Sequence, residues 1–142
     1  MIRQLLVGGA VSTVTIAIHA MVMMILIRIA QNASARSKKK ASEHLVLVMV
    51  PTVMVLMMTH TAEVFVWALA YWLVGATPEG ADRVYFAFVN FATLGYGDIV
   101  PVARWRLLGP ITAMNGALLF GWSTAVIFEV LRRALREAGR RS

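Results

Sequence analysis

The sequence predicts an all-α integral membrane protein with three transmembrane helices and a shorter helix that enters the membrane and turns back. Of the 142 residues 59% are hydrophobic and only 15% charged, with a mean hydropathy of +0.71, too apolar for a water-soluble domain of this size. The apolar residues gather in three runs, each long enough for the roughly 20 residues that a bilayer core about 30 Å thick requires. The basic residues lie in two short blocks beside those runs, a pattern of membrane topology and not of a nucleic-acid-binding face. The net charge of +7 therefore implies no nucleic-acid partner. No separate soluble domain fits beside three crossings. Without cysteine the chain offers no disulfide framework, thiolate metal site or cysteine nucleophile.

Residues 1–30 form the first transmembrane helix. Its apolar run covers residues 4–29, where after Gln4 the only polar side chains are Ser12, Thr13, Thr15, His19 and Arg28. A secretory signal is the competing reading, with Arg3 as the n-region and Ala33-Ser34-Ala35 as the cleavage site. The run is too long for the usual 7 to 15 apolar residues, and cleavage would export the following lysines. Residues 31–44, rich in Ser, Ala and Lys with no apolar periodicity, read as a solvated basic linker around Lys38, Lys39 and Lys40. The second run, residues 45–74, is interrupted by Pro51, Thr52, the polar group Thr59, His60, Thr61 and Glu63, and the aromatics Trp67, Tyr71 and Trp72. The third, residues 107–131, carries Pro110 in its first turn, where a missing N–H costs little, and small residues at Gly116 and Gly121. The basic tail, residues 132–142, extends that helix toward the interface.

Orientation follows from the cations. Arg28, Arg36, Lys38, Lys39 and Lys40 with Arg132, Arg133, Arg136, Arg140 and Arg141 place ten on one side, against four on the other, Arg3, Arg83, Arg104 and Arg106. The positive-inside rule makes the linker and C-terminus cytoplasmic, and puts the N-terminus and residues 75–106 outside a multi-pass protein of the cell (plasma) membrane.

The stretch between the second and third runs carries the chemistry. Residues 85–92 make only two to three helical turns, too short to cross a bilayer and suited to a re-entrant helix. Thr93-Leu94-Gly95-Tyr96-Gly97-Asp98 follows. Two glycines one residue apart take positive φ cheaply, so the backbone can alternate conformations and turn successive carbonyl oxygens to one side. At membrane depth bare carbonyls are tolerated only along a polar pathway or buried in protein. A row of them beside the Thr93 hydroxyl resembles the coordination shell of a dehydrated cation, and the C-terminal end of the preceding helix adds negative partial charge.

This six-residue segment resembles the selectivity filter of the tetrameric potassium-channel family, and the mechanism of selection comes with that resemblance. About 90 of the 142 residues are covered. The resemblance makes residues 45–131 a pore domain, with residues 45–74 as outer helix, 84–92 as pore helix and 107–131 as inner helix, assembled as a homotetramer. Pro101 follows the filter aspartate at the family's distance. Potassium, the permeant ion and the only ligand implied, would lose its water to the carbonyls of Thr93, Leu94, Gly95 and Tyr96 and to the Thr93 hydroxyl, with Gly97 completing the filter. Asp98 would fix the outer end by hydrogen bonding behind it, and Tyr96 would pack outward against the pore helix. Gly116 falls at the inner helix's hinge position, and residues from Gly121 to Thr124 would form a gate.

The chain departs from the family at three places. Leu94 replaces the commoner valine, Val89 stands where some members carry a glutamate that bonds the filter aspartate, and the first helix is extra to a minimal two-helix pore. That helix lacks the spaced arginines of a voltage sensor, and no cytoplasmic ligand-binding domain follows residue 131. The architecture looks like that of a small bacterial channel.

Other residues admit two readings each. His60 and Glu63, three apart on one helical face, are either a proton sensor or, the preferred reading, hydrogen-bond partners of Thr59 or of a neighbouring helix. Glu129 is either one member of a carboxylate ring at the cytoplasmic mouth of four chains or, preferred again, a helix-surface partner of Arg132 and Arg133. His19 stands alone in sequence, so no metal role is assigned to it. The tail arginines touch anionic lipid, and the nine methionines are core and lipid-facing filler and not a copper path. No nucleophile with its base and no metal-ligand cluster is visible, so the chain is not expected to be an enzyme. Two further classes compete with a potassium channel: a non-selective cation channel and a non-conducting accessory membrane subunit.

Overall fold

A computed structural model describes the backbone of residues 1–36 and 41–139 and the side chains of residues 1–29 and 45–136. Its helices are α1 (Ile2–Arg36), α2 (Ala41–Val74), α3 (Arg83–Phe91) and α4 (Leu108–Gly139), with a 3₁₀ turn at Ala103–Trp105. There is no strand among the described residues. Three segments are long and apolar enough to cross a membrane, Ile2–Ile29, Leu45–Val74 and Ala103–Arg136.

The helices outrun the apolar runs at both basic blocks. Helix persists to Arg36 and resumes at Ala41, so the stretch read as a linker is helical at both ends; residues 37–40 lie outside the described ones. The reason is composition: no glycine or proline stands between residue 10 and Pro51, and alanine, glutamine, arginine and lysine all favour helix. Missing apolar periodicity reports the loss of a buried face, which is a different property from the loss of helix. The same logic carries α4 through the arginines of the tail to Gly139.

Cross-helix contacts fix the directions. Gln4 Oε1 accepts a hydrogen bond from the Leu107 N–H at 2.8 Å, Thr15 meets Asn115, and His19 lies beside Ser123, so α1 and α4 run parallel. Trp67 meets Asn115 and Tyr71 meets Thr112, so α2 runs against both. Gln4 satisfies one of the orphan N–H groups at the start of α4, and the Arg3 guanidinium lies 5.1 Å from the centre of the buried Trp105 ring. One apolar cluster holds Trp67, Tyr71, Phe86, Phe91, Trp105, Leu108 and Leu119 around α3. A second holds Met23, Leu26, Leu56, Val126 and Val130 at the other end of the helices.

Because lipid is as apolar as leucine, close packing and polar contacts must specify how these helices meet. The buried face of α4 runs through Thr112, Asn115, Leu119, Ser123, Val126, Val130 and Ala134, spaced three or four apart. Its polar members each find a partner. The Tyr71 and Thr112 hydroxyls lie 2.5 Å apart and Thr112 donates onward to the Leu108 carbonyl at 2.8 Å, so the Tyr71 O–H is the donor between them. The Thr15 hydroxyl and the Trp67 indole N–H both reach Asn115 Oδ1, at 2.9 and 3.0 Å, tying three helices to one side chain. Asn115→Leu is therefore expected to lower stability by about 1–2 kcal/mol, because it strands the buried Trp67 N–H. Thr15→Val should lose less, since the Asn115–Trp67 bond survives it. Thermal melts in detergent check the order of the two variants.

Candidate functional site

The site is built on α3. Asp82 begins it: its Oδ1 accepts from the Val84 and Tyr85 N–H groups, both at 3.0 Å, an N-cap that holds the first turn. Nine residues rise only about 14 Å, less than half a bilayer core. Phe86, Ala87, Val89 and Phe91 are buried, which anchors the helix against α2 and α4.

The chain then turns back on its own helix end. The N–H groups of Thr93 and Leu94 donate to the carbonyls of Asn90 and Val89, each at 2.9 Å, satisfying acceptors that a helix terminus leaves open. Beyond them φ is positive at every second residue: +60° at Thr93, +59° at Gly95 and +79° at Gly97. An alternation of left-handed and negative-φ residues is a backbone pattern that can turn successive carbonyl oxygens toward one side. For the glycines this geometry is cheap. For Thr93, β-branched, it is strained, and such outliers gather at functional sites. Residues 93–98 are all exposed on the single chain, and among the described residues no backbone N–H donates to their carbonyls.

The Asp98 carboxylate lies near the Tyr85 hydroxyl in the first turn of α3 and raises the phenol's pKa above its ordinary value. Buried Val89 offers no carboxyl to this aspartate. Tyr96 is 65% exposed, so the α3 of its own chain does not cover its ring.

Gly116 sits where α4 crosses the end of α3. A Cβ placed on it would stand 2.0 Å from the Phe91 carbonyl oxygen, so the two backbones touch there. α4 runs through this position as one unbroken helix, and the geometry asks a close backbone approach of this glycine. Gly121 is exposed with no atom within 4 Å of its would-be Cβ, on the same open side of α4 as Thr124. Glu129 pairs with Arg132 and Arg133 one turn on, so its carboxylate is engaged along its own helix.

His60 and Glu63 meet across one turn of α2, Nδ1 to Oε2 at 2.9 Å. They do not meet alone. His19 of α1, read as solitary from the sequence, brings its Nδ1 within 2.9 Å of Glu63 Oε1. Ser123 of α4 lies 2.9 Å from His60 Nε2 and 3.4 Å from His19 Nε2. The absence of any metal-ligand cluster, expected from the sequence, is thereby corrected: three ligating groups separated by 44 residues in the chain converge here. The sequence did carry a signal. Gly8, Thr15, His19, Met23 and Leu26 repeat at helical spacing, and all five are buried, which puts the polar members of α1 on its packed face.

Two helices long and apolar enough to cross a membrane bracket a short helix, and the chain leaves that helix through an alternation of left-handed residues; this is the arrangement of a pore-loop channel. The chain belongs to the ion-channel family Ion_trans_2, whose model matches residues 45–133. The match takes in α3, residues 93–98 and most of α2 and α4, and leaves α1 outside it. No curated protein matches the chain, and no solved structure does.

Proposed function

We propose that the chain is the pore of a potassium-selective channel, working as a homotetramer in which residues 93–98 of four copies form the selectivity filter. The observation that carries this reading is the alternation of left-handed residues at Thr93, Gly95 and Gly97 along an exposed Thr-Leu-Gly-Tyr-Gly-Asp segment. One chain supplies one wall of carbonyls, and a dehydrated cation needs a ring of them. Potassium sheds its water to the carbonyls of Thr93, Leu94, Gly95 and Tyr96 and to the Thr93 hydroxyl, and moves by knock-on between adjacent sites. Asp98, near Tyr85, braces the outer end. Tyr96, uncovered in its own chain, packs against a neighbour.

The open side of α4, with Gly121 and Thr124, faces the pore axis and forms the gate. Glu129 and its two arginines stand at the cytoplasmic mouth. The parallel course of α1 and α4, together with the ten basic residues beside their far ends, supports an outside N-terminus and a cytoplasmic C-terminus in the plasma membrane. There the tail meets anionic lipid.

The test is ion flux from purified protein in liposomes, with potassium on one side and sodium on the other. Wild type is expected to pass potassium selectively and Gly95→Asp to be silent. A potassium-to-sodium permeability ratio near one would establish a non-selective cation channel instead. A well-folded monomer or dimer that passes no ions would establish an accessory subunit.

A further inference from the structure

We propose that His19, His60 and Glu63 bind one divalent transition-metal ion of the zinc type between α1 and α2, ligated by Nδ1 of both imidazoles and by the Glu63 carboxylate. The site is separate from the ion pathway, and the proposal does not depend on potassium selectivity.

Glu63 is the starting point. Its carboxylate is 0% exposed within a membrane-crossing helix, and among the described residues its only ionic partners are the two histidines. A buried carboxylate needs a compensating charge and filled lone pairs. Each of its oxygens faces one imidazole nitrogen, Oε1 to His19 Nδ1 and Oε2 to His60 Nδ1, both at 2.9 Å. Tetrahedral ligand atoms about 2.0–2.1 Å from one ion stand about 3.3 Å from each other. The 2.9 Å separations are hydrogen-bond lengths, and an opening of about 0.4 Å admits the ion between the same three groups. The three groups each offer one ligand atom within 4.8 Å of the others.

The outer faces of the rings are arranged to match. Ser123 Oγ lies 2.9 Å from His60 Nε2 and 3.4 Å from His19 Nε2. A hydroxyl oxygen has two lone pairs and can accept from both Nε2–H groups. With the ion bound, protons held on Nε2 leave both Nδ1 lone pairs to the ion, which replaces the Nδ1–H donors to the carboxylate. An oriented ring whose far N–H is hydrogen bonded is the usual support of a metal-ligating histidine. Two imidazoles and a carboxylate suit zinc, cobalt, nickel, copper or ferrous iron, and are a poor set for magnesium or calcium, which prefer oxygen throughout. His19 and Glu63 are fully buried, while His60 keeps 12% of its side chain accessible, which makes its edge the way in.

Such an ion has a structural consequence. α1 lies outside the family match, and the ion bonds it to α2, while Ser123 links both ligating rings to α4. The ion clamps the additional helix to the channel domain at one point shared by all three membrane helices.

The experiment is metal analysis of the full chain purified in detergent, stripped with chelator and reloaded with zinc chloride. One zinc per chain is expected, together with a melting temperature that rises on reloading. Cobalt is expected to give the visible absorption of nitrogen and oxygen coordination. His60→Asn keeps a donor near the Nδ1 position for Glu63 but no imidazole nitrogen, and should weaken zinc binding at least tenfold and remove the zinc-dependent rise. His44→Gln, which alters the third histidine, should change neither. Well-folded wild type that binds less than one equivalent, or zinc binding untouched by His60→Asn, overturns the proposal. Either result would leave the cluster as a proton-bearing hydrogen-bond network.

Discussion

Gly116→Ala is expected to destabilise the folded chain by about 3 kcal/mol, the upper end of the range for overpacking a tight contact, while Gly121→Ala is expected to be neutral or stabilising. The new methyl of Gly116→Ala would stand 2.0 Å from the Phe91 carbonyl oxygen, 2.9 Å from its carbon and 3.2 Å from its Cα. Every one of these is a backbone atom, so no side chain can rotate away to make room. Relief requires α4 to move off the end of α3, and that movement disturbs the Thr93 and Leu94 N–H bonds to the Asn90 and Val89 carbonyls. The same methyl at Gly121 meets nothing within 4 Å, and in a helix interior alanine is preferred to glycine by about 1 kcal/mol. Melting curves of the two variants in one detergent make the comparison. If Gly116→Ala melts like wild type and changes only open probability, flexibility is the role of this glycine and the close-contact account fails.

The contrast between those two glycines shows which features a sequence can carry. Both stand in the same apolar run with similar neighbours, and no periodicity separates one that touches a carbonyl from one that touches nothing. The runs themselves were legible because a bilayer demands a fixed length of apolar residues: the second was read as residues 45–74, and the membrane-crossing segment is Leu45–Val74. The short helix, read as residues 84–92, forms as Arg83–Phe91, since Asp82 is placed to cap it. The segment at residues 93–98 was legible because its chemistry is consecutive. Positive φ at Gly95 and Gly97 follows from residue type, whereas positive φ at Thr93 runs against it and comes from the turn that returns the chain to the α3 carbonyls. His19 was the opposite case. Its partners lie on two other helices, Glu63 and Ser123, and only the packing of α1 beside α2 and α4 brings them together.

Gly97→Ala is expected to leave the fold close to intact and to stop conduction. At φ +79° an alanine is strained by about 1–2 kcal/mol, yet its methyl meets no atom within 4 Å in the chain, so there is no clash to add to that strain. The chain already accommodates a β-branched residue at φ +60° two turns of the alternation earlier, at Thr93, and a second strained position of similar size is tolerable. In the proposed tetramer the effect is repeated around the axis. Four alanines together disfavour the conducting backbone by about 4–8 kcal/mol, and at about 1.4 kcal/mol per tenfold its population falls by a thousandfold or more. The strain is relieved when the residue moves to negative φ, which turns its peptide over and takes one carbonyl ring out of the ion path. Liposome flux and a melting curve measured on the same preparation separate the two consequences. Loss of flux with a melting temperature within a few degrees of wild type is the expected pair. Potassium flux unchanged in Gly97→Ala would mean that the left-handed geometry at this position does not shape the pathway, and the assignment of residues 93–98 as the filter would fall with it.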